Sequence, residues 1–171
     1  MNVILVGPMG AGKTTIGRPL AARIAFDFID LDDVIVERAG KPIPAIFSEQ
    51  GECLFRALES EMLASFCIAS GQVLSTGGGV VLVAANRQRM HRAGPVIWLH
   101  AEPEVSAARI AGDANRPLLN GVDPLLRARE LAAIRTPLYA AIADLRIDTG
   151  QRSVQESVDD ICNFLSESGH V

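Results

Sequence analysis

Cysteine is scarce in this chain of 171 residues: Cys53, Cys67 and Cys162 are its three, and no CxxC or Cys/His cluster connects them. An odd number without such spacing excludes a disulfide framework and a zinc ribbon, so a reducing setting, the cytoplasm, is expected. Aromatic residues make up 5%, with one Trp and one Tyr. The remaining composition, 49% apolar and 21% charged, is that of an ordinary globular protein, and extensive disorder is excluded. A basic excess is also missing. With a net charge of -4 the chain is not expected to bind nucleic acid, and any anionic ligand has to meet local arginines. No apolar run approaches the roughly 20 residues that cross a bilayer, so no membrane partner is expected. The apolar run 2–6 stops at Gly7 with no charged stretch ahead of it, which does not make a signal peptide. No linker or internal repeat interrupts the chain, and its length fits a single domain over 1–171.

What is present is an alternation of short apolar runs and helical patterns. Residues 2–6, 27–29, 73–75, 96–99 and 145–148 are short segments bounded by turn residues and are expected as strands. Residues 13–25 carry Ile16, Leu20 and Ile24 at helical spacing, 33–39 form a second helix, and 51–69 a longer one with Leu54, Leu58, Met62 and Phe66 on one stripe. Strands that alternate with helices imply a parallel sheet with right-handed crossovers and helices on both faces, a three-layer α/β/α architecture. Ligands of such sheets bind beyond the carboxyl ends of the strands. Residues 112–123 are polar and turn-rich between two helical patterns and are expected as a mobile lid.

Gly7-Pro8-Met9-Gly10-Ala11-Gly12-Lys13-Thr14 fills the pattern GxxxxGK[ST] between an expected strand and an expected helix. The glycines let the backbone aim successive N–H groups at phosphate oxygens, and the helix N-terminus adds partial positive charge. Gly10, Ala11, Gly12, Lys13, Thr14 and Thr15 are therefore the nucleotide-binding candidates. Lys13 is expected on the β- and γ-phosphates and Thr14 on Mg2+. A plain glycine turn gives no reason for Lys-Thr at that offset.

Asp30 and Asp32 lie two apart just past the second strand, and extended backbone would point both to one side. Phosphoryl transfer needs a carboxylate near the metal and uses another to orient or deprotonate the acceptor hydroxyl. The competing role is a helix N-cap, for which Asp33 is the preferred residue. Arg56 has Glu52 four residues before it and Glu59 three after, the spacing of a surface ion-pair ladder. Arg116, in Asn115-Arg116-Pro117-Leu118-Leu119, sits where it can close over a triphosphate, or simply be solvated. Arg135 precedes Thr136-Pro137, where a helix break or kink is expected. Gly77-Gly78-Gly79 offers backbone that a ligand can approach, although a glycine turn competes.

Taken in order, GPMGAGKTT, FIDLD, FSEQGECLFRALE, STGGGVV, NRPLL and RTPLYAAIADLRIDT resemble the shikimate kinases over nearly the whole chain. The resemblance implies a nucleoside-monophosphate-kinase fold with five parallel strands in the order 2-3-1-4-5. It implies an ATP- and Mg2+-dependent enzyme that phosphorylates the 3-hydroxyl of shikimate on the route to chorismate and the aromatic amino acids, acting as a monomer. It also carries residue roles. Asp32 contacts the shikimate hydroxyls as the base, Asp30 supports Mg2+ through water, and Arg56 and Arg135 grip the carboxylate. Gly77, Gly78 and Gly79 line the acceptor pocket, Arg116 closes on the phosphates, Arg109 stacks on adenine and Arg152 lies in the other adenine-side loop. A gluconate kinase is the nearest alternative but needs no arginine pair spaced like Arg56 and Arg135; an adenylate kinase would carry a DGFPR-like segment, which is missing. A nucleotide-binding module without catalysis would have no physical need to keep Lys13, Thr14, Asp30, Asp32 and Arg116 together.

Overall fold

The computed structural model describes residues 1–111 and 123–170; of the expected lid over 112–123, all but Asp123 lies outside the described residues, Arg116 included. Five parallel strands, β1 (Val3–Val6), β2 (Asp27–Asp30), β3 (Gln72–Ser75), β4 (Val96–His100) and β5 (Leu145–Asp148), form one sheet in the order β2-β3-β1-β4-β5. The helices are α1 (Lys13–Ile24), α2 (Leu31–Ala39), α3 (Ile43–Ile68), α4 (Ala84–Ala93), α5 (Pro103–Ile110), α6 (Pro124–Ala140) and α7 (Val154–Glu167). This is the expected order and architecture.

The central strand shows why the sheet is sandwiched. Val-Ile-Leu-Val is apolar throughout because both faces are covered, as in parallel sheets generally. Ile4 and Val6 face a cluster with Leu31, Ile35, Ile46, Phe55, Leu63, Met90, Trp98 and Tyr139, whereas Val3 and Leu5 face Ile16, Leu20, Val158, Ile161 and Leu165. Each fully buried Leu or Ile stabilises the fold by roughly 1.5–3 kcal/mol before entropy is subtracted. The two layers hold the carboxyl edge of the sheet firmly enough for loops there to be built to shape.

Several local expectations are corrected. α2 begins at Leu31 rather than Asp33, and its N-cap is Asp30, whose side chain accepts a hydrogen bond from the Asp32 N–H at 3.1 Å. Asp33 therefore is not the cap, and Asp32 sits in the first helical turn instead of continuing the strand. A capping aspartate needs extended backbone, which the end of β2 provides at Asp30 (φ -99, ψ 115). α3 starts at Ile43 instead of Gly51; Gly51 is the point at which it breaks, with φ 80, a conformation that favours glycine. Beyond the break the buried residues are Phe55, Glu59, Met62 and Leu63; of the expected stripe Met62 is buried and Leu58 and Phe66 pack partly against the core, but Leu54 is 41% exposed. α6 runs on through Pro137 to Ala140, so the expected break beside Arg135 does not occur.

Candidate active site

The phosphate loop leaves β1 and returns into α1 through Gly12, whose left-handed backbone (φ 89) turns the chain into the helix. Only glycine adopts this without strain, which explains the residue before Lys13. Lys13 Nζ donates to the carbonyls of Gly7 at 2.9 Å and Pro8 at 2.8 Å, so the ammonium lies folded over the loop. Ala11 packs its methyl in the core and gives its N–H to Pro8 at 3.3 Å.

Opposite the loop, Asp30 is a junction. One carboxylate oxygen accepts from the Thr14 hydroxyl at 2.7 Å and from the Ser75 hydroxyl at 3.2 Å, while the other caps α2. Ser75 is the cross-strand partner of Asp30 on β3, so the sheet register itself brings these groups together. A pocket of about 190 Å³ is lined by Met9, Gly10, Gly12, Lys13, Thr14, Thr15, Asp30, Asp32, Ser75, Thr76 and Gly78. It unites the expected phosphate-binding residues with both aspartates, although the route to that proximity is the start of a helix and not the extended pair anticipated. The donor set suits Mg2+: a hydroxyl and a carboxylate in direct contact are hard oxygen ligands, and Mg2+ shared with phosphates needs few protein groups. Among the described residues no cluster of three or more acidic, His or Cys groups offers a full protein cage.

The second half of the site is built on the three glycines after β3. A side chain at Gly77 would strike the Glu59 carboxylate and stand 3.1 Å from Asp32 Oδ1; one at Gly79 would overlap the Arg56 guanidinium; one at Gly78 would be 3.4 Å from Arg135 Nη1. The triplet is therefore a surface on which four charged groups rest. Arg56 makes both pairs of its ladder, to Glu52 at 3.1 Å and to Glu59 at 2.8 Å, but the ladder is not a surface one, because Glu59 is fully buried. Burial disfavours the Arg56 cation, yet Glu59 and Glu52 more than offset it and hold the guanidinium charged. Burial pushes the Glu59 carboxyl up, further than Arg56 pulls it down, and the nearby Asp32 adds to the rise. Arg135 is 5% exposed; burial and the like charge of Arg56 lower its pKa. Among the described residues no carboxylate forms an ion pair with it, and its Nε has no hydrogen-bond partner. Arg56 is thus matched by Glu52 and Glu59, whereas the buried Arg135 guanidinium has no carboxylate in an ion pair among the described residues, and a ligand carboxylate would supply one.

Arg109, expected to stack on adenine, donates to the Gly10 carbonyl at 3.0 Å and to Thr149, at its hydroxyl (3.2 Å) and carbonyl (2.7 Å). It thus ties the phosphate loop to the end of β5. Arg152, by contrast, pairs with Asp160 of α7. Glu59, Ser75 and Tyr139 were not singled out by sequence reasoning as site residues. Glu59 had a signal, since it lies four residues after Phe55 and three before Met62 and so at a core position of α3. Ser75 is recognisable only once the β2–β3 register is known.

A strand, a glycine loop and a helix with Lys-Thr at its start, facing an aspartate–hydroxyl pair at the carboxyl edge of a parallel sheet, define a P-loop phosphotransferase. The family model described as shikimate kinase matches residues 9–166. A shikimate kinase of Symbiobacterium thermophilum is 47% identical over 171 residues, covering 99% of this chain and 98% of that one. The structure of the Acinetobacter baumannii shikimate kinase in complex with shikimate superposes with a TM-score of 0.94 at 38% identity, over 98% of this chain and 93% of the other. The chain belongs to the shikimate kinase family, whose members use ATP as co-substrate together with Mg2+. A gluconokinase from Sinorhizobium meliloti, with a TM-score of 0.61 at 15% identity over 97% of this chain and 91% of its own, shares the fold alone.

Proposed function

We propose that this chain transfers the γ-phosphate of ATP to the 3-hydroxyl of shikimate, with the acceptor's carboxylate held between Arg56 and Arg135. The observation that carries this assignment is the seating of two guanidiniums, Arg135 buried and Arg56 partly so, on the adjacent Gly78 and Gly79, across Gly77 from Asp32.

In the proposed mechanism the loop N–H groups and Lys13 bind the phosphate oxygens, and Lys13 exchanges its contacts with the Gly7 and Pro8 carbonyls for the incoming anion. Thr14 and Asp30 are the groups that would hold Mg2+, Asp30 through water. Bound there, the ion supplies charge neutralisation on the β- and γ-oxygens. Asp32 orients the acceptor hydroxyl and takes its proton as the oxygen attacks the γ-phosphorus and ADP departs. Arg116 is assigned to the charge that develops on the transferred group, and Arg109 and Arg152 to the nucleotide side. The whole of 1–171 is assigned to one kinase domain.

Arg56→Lys and Arg135→Lys test the clamp, because a planar guanidinium pairs with a carboxylate through two parallel hydrogen bonds that Lys cannot reproduce. Each is expected to raise KM for shikimate strongly and leave KM for ATP nearly unchanged. Truncating a buried, hydrogen-bonded charge pair costs roughly 2–5 kcal/mol, against about 1 or less for an exposed one. Shikimate methyl ester is expected to be a poor substrate of the wild type. Wild-type KM values for both variants would refute the clamp.

A further inference from the structure

Arg135 and Tyr139 are four residues apart on α6 and so lie on one face of the helix. Tyr139 is 2% exposed, and its ring stacks near Trp98 at 6.0 Å between centroids and 29° between planes. Its hydroxyl donates to the Gly78 carbonyl at 2.5 Å. Burial pushes the phenol well above its ordinary range, so the proton that makes this hydrogen bond stays in place. The flanking carbonyls are taken locally: Val80 N–H donates to Gly77 at 3.1 Å and Leu82 N–H to Gly79 at 3.0 Å. Gly78, the glycine against which Arg135 rests, thus has its carbonyl served from α6.

We propose that Tyr139 is a positioning residue for acceptor binding: its hydroxyl occupies the Gly78 carbonyl, ties α6 to the glycine triplet and, next to the Arg135 guanidinium, keeps that group aimed at the substrate's carboxylate. This rests on the assignment of Arg135 made above. Without the hydroxyl, a half-buried carbonyl is left beside a guanidinium that has an unused Nε–H, and the guanidinium turns toward it. The carboxylate then loses part of its grip, while the phosphate loop is untouched.

Tyr139→Phe keeps the ring and removes only the tether. Loss of one hydrogen bond's worth of alignment is expected to raise KM for shikimate roughly two- to tenfold, with KM for ATP unchanged. Trp98→Phe is the packing control: it disturbs the stacked neighbour, lowers the melting temperature and leaves KM for shikimate as in the wild type. In an Arg135→Lys background, Tyr139→Phe is expected to add little, because the grip it aligns is already lost. The proposal is overturned if Tyr139→Phe leaves KM for shikimate unchanged, raises KM for ATP by the same factor, or acts undiminished beside Arg135→Lys. It is also overturned if Trp98→Phe raises KM for shikimate equally. Should Arg135→Lys alone leave KM for shikimate unchanged, the assignment of Arg135 fails and the tether with it. Should Arg135→Lys raise KM while Tyr139→Phe does not, the tether alone fails.

Discussion

Adding one methyl group at Gly79 separates binding from folding more cleanly than truncating the arginine itself. Gly79 has ordinary backbone (φ -98, ψ -2), so alanine introduces no conformational strain. The new Cβ would instead overlap the Nη1, Nη2 and Cζ atoms of Arg56. These atoms form the far end of a flexible side chain and can yield, but favourable carbon contacts lie at about 3.5–4.0 Å, so the guanidinium has to retreat by on the order of 1 Å. Such a shift breaks a bidentate pairing without removing any charge. If a charged hydrogen bond of about 1.5–3 kcal/mol is lost, KM for shikimate should rise roughly ten- to a hundredfold. The assay is steady-state ADP release at saturating ATP with shikimate varied, alongside circular dichroism and thermal melting. Gly79→Ala is expected to remain folded, with a lowered melting temperature because the displaced guanidinium also pairs with the buried Glu59, and to leave KM for ATP unchanged. A folded variant with wild-type KM for shikimate would refute the placement of Arg56 in the acceptor pocket.

Asp32→Asn keeps the shape of the side chain and removes its basicity, so kcat should fall by about a hundred- to ten-thousandfold; an unchanged kcat and pH profile would move the base elsewhere. Glu59 gives a pH dependence of unusual sign. Its folded carboxyl lies above the ordinary range, so the native state holds more protons than the unfolded chain, and stability falls as pH rises from that range through the folded value. The melting temperature of the wild type relative to Glu59→Gln is therefore expected to drop as pH rises above the ordinary carboxylate range, whereas a constant difference would contradict a buried, proton-retaining carboxyl.

Much of the fold was legible because its signals are local and agree with one another. The all-apolar Val3–Val6 strand, the glycine loop and the spacing of Ile16 and Leu20 all call for the same strand–loop–helix unit. Legibility failed where two local rules compete. In α3 the expected stripe holds at Met62, and in part at Leu58 and Phe66, but Leu54 faces outward while the adjacent Phe55 and Glu59 take core positions, Glu59 paired with Arg56. Hydropathy cannot anticipate a carboxylate whose partner is supplied three residues away. At the end of β2, Asp30, Asp32 and Asp33 are equally good caps by composition, and the β2–β3 register settles the choice by placing Asp30 across from Ser75 and within reach of Thr14. Tyr139 carried no signal at all, since its partner is a backbone carbonyl 61 residues away.

The central claim, that the pocket beyond the phosphate loop takes a carboxylated ring alcohol, is tested most directly by one coupled ADP-release assay. ATP and Mg2+ are held constant while shikimate, quinate, gluconate and AMP are offered in turn. A carboxylate clamped by Arg56 and Arg135, with the acceptor hydroxyl at Asp32, predicts that shikimate supports turnover well above the other three. Turnover of gluconate or AMP with none of shikimate would contradict it.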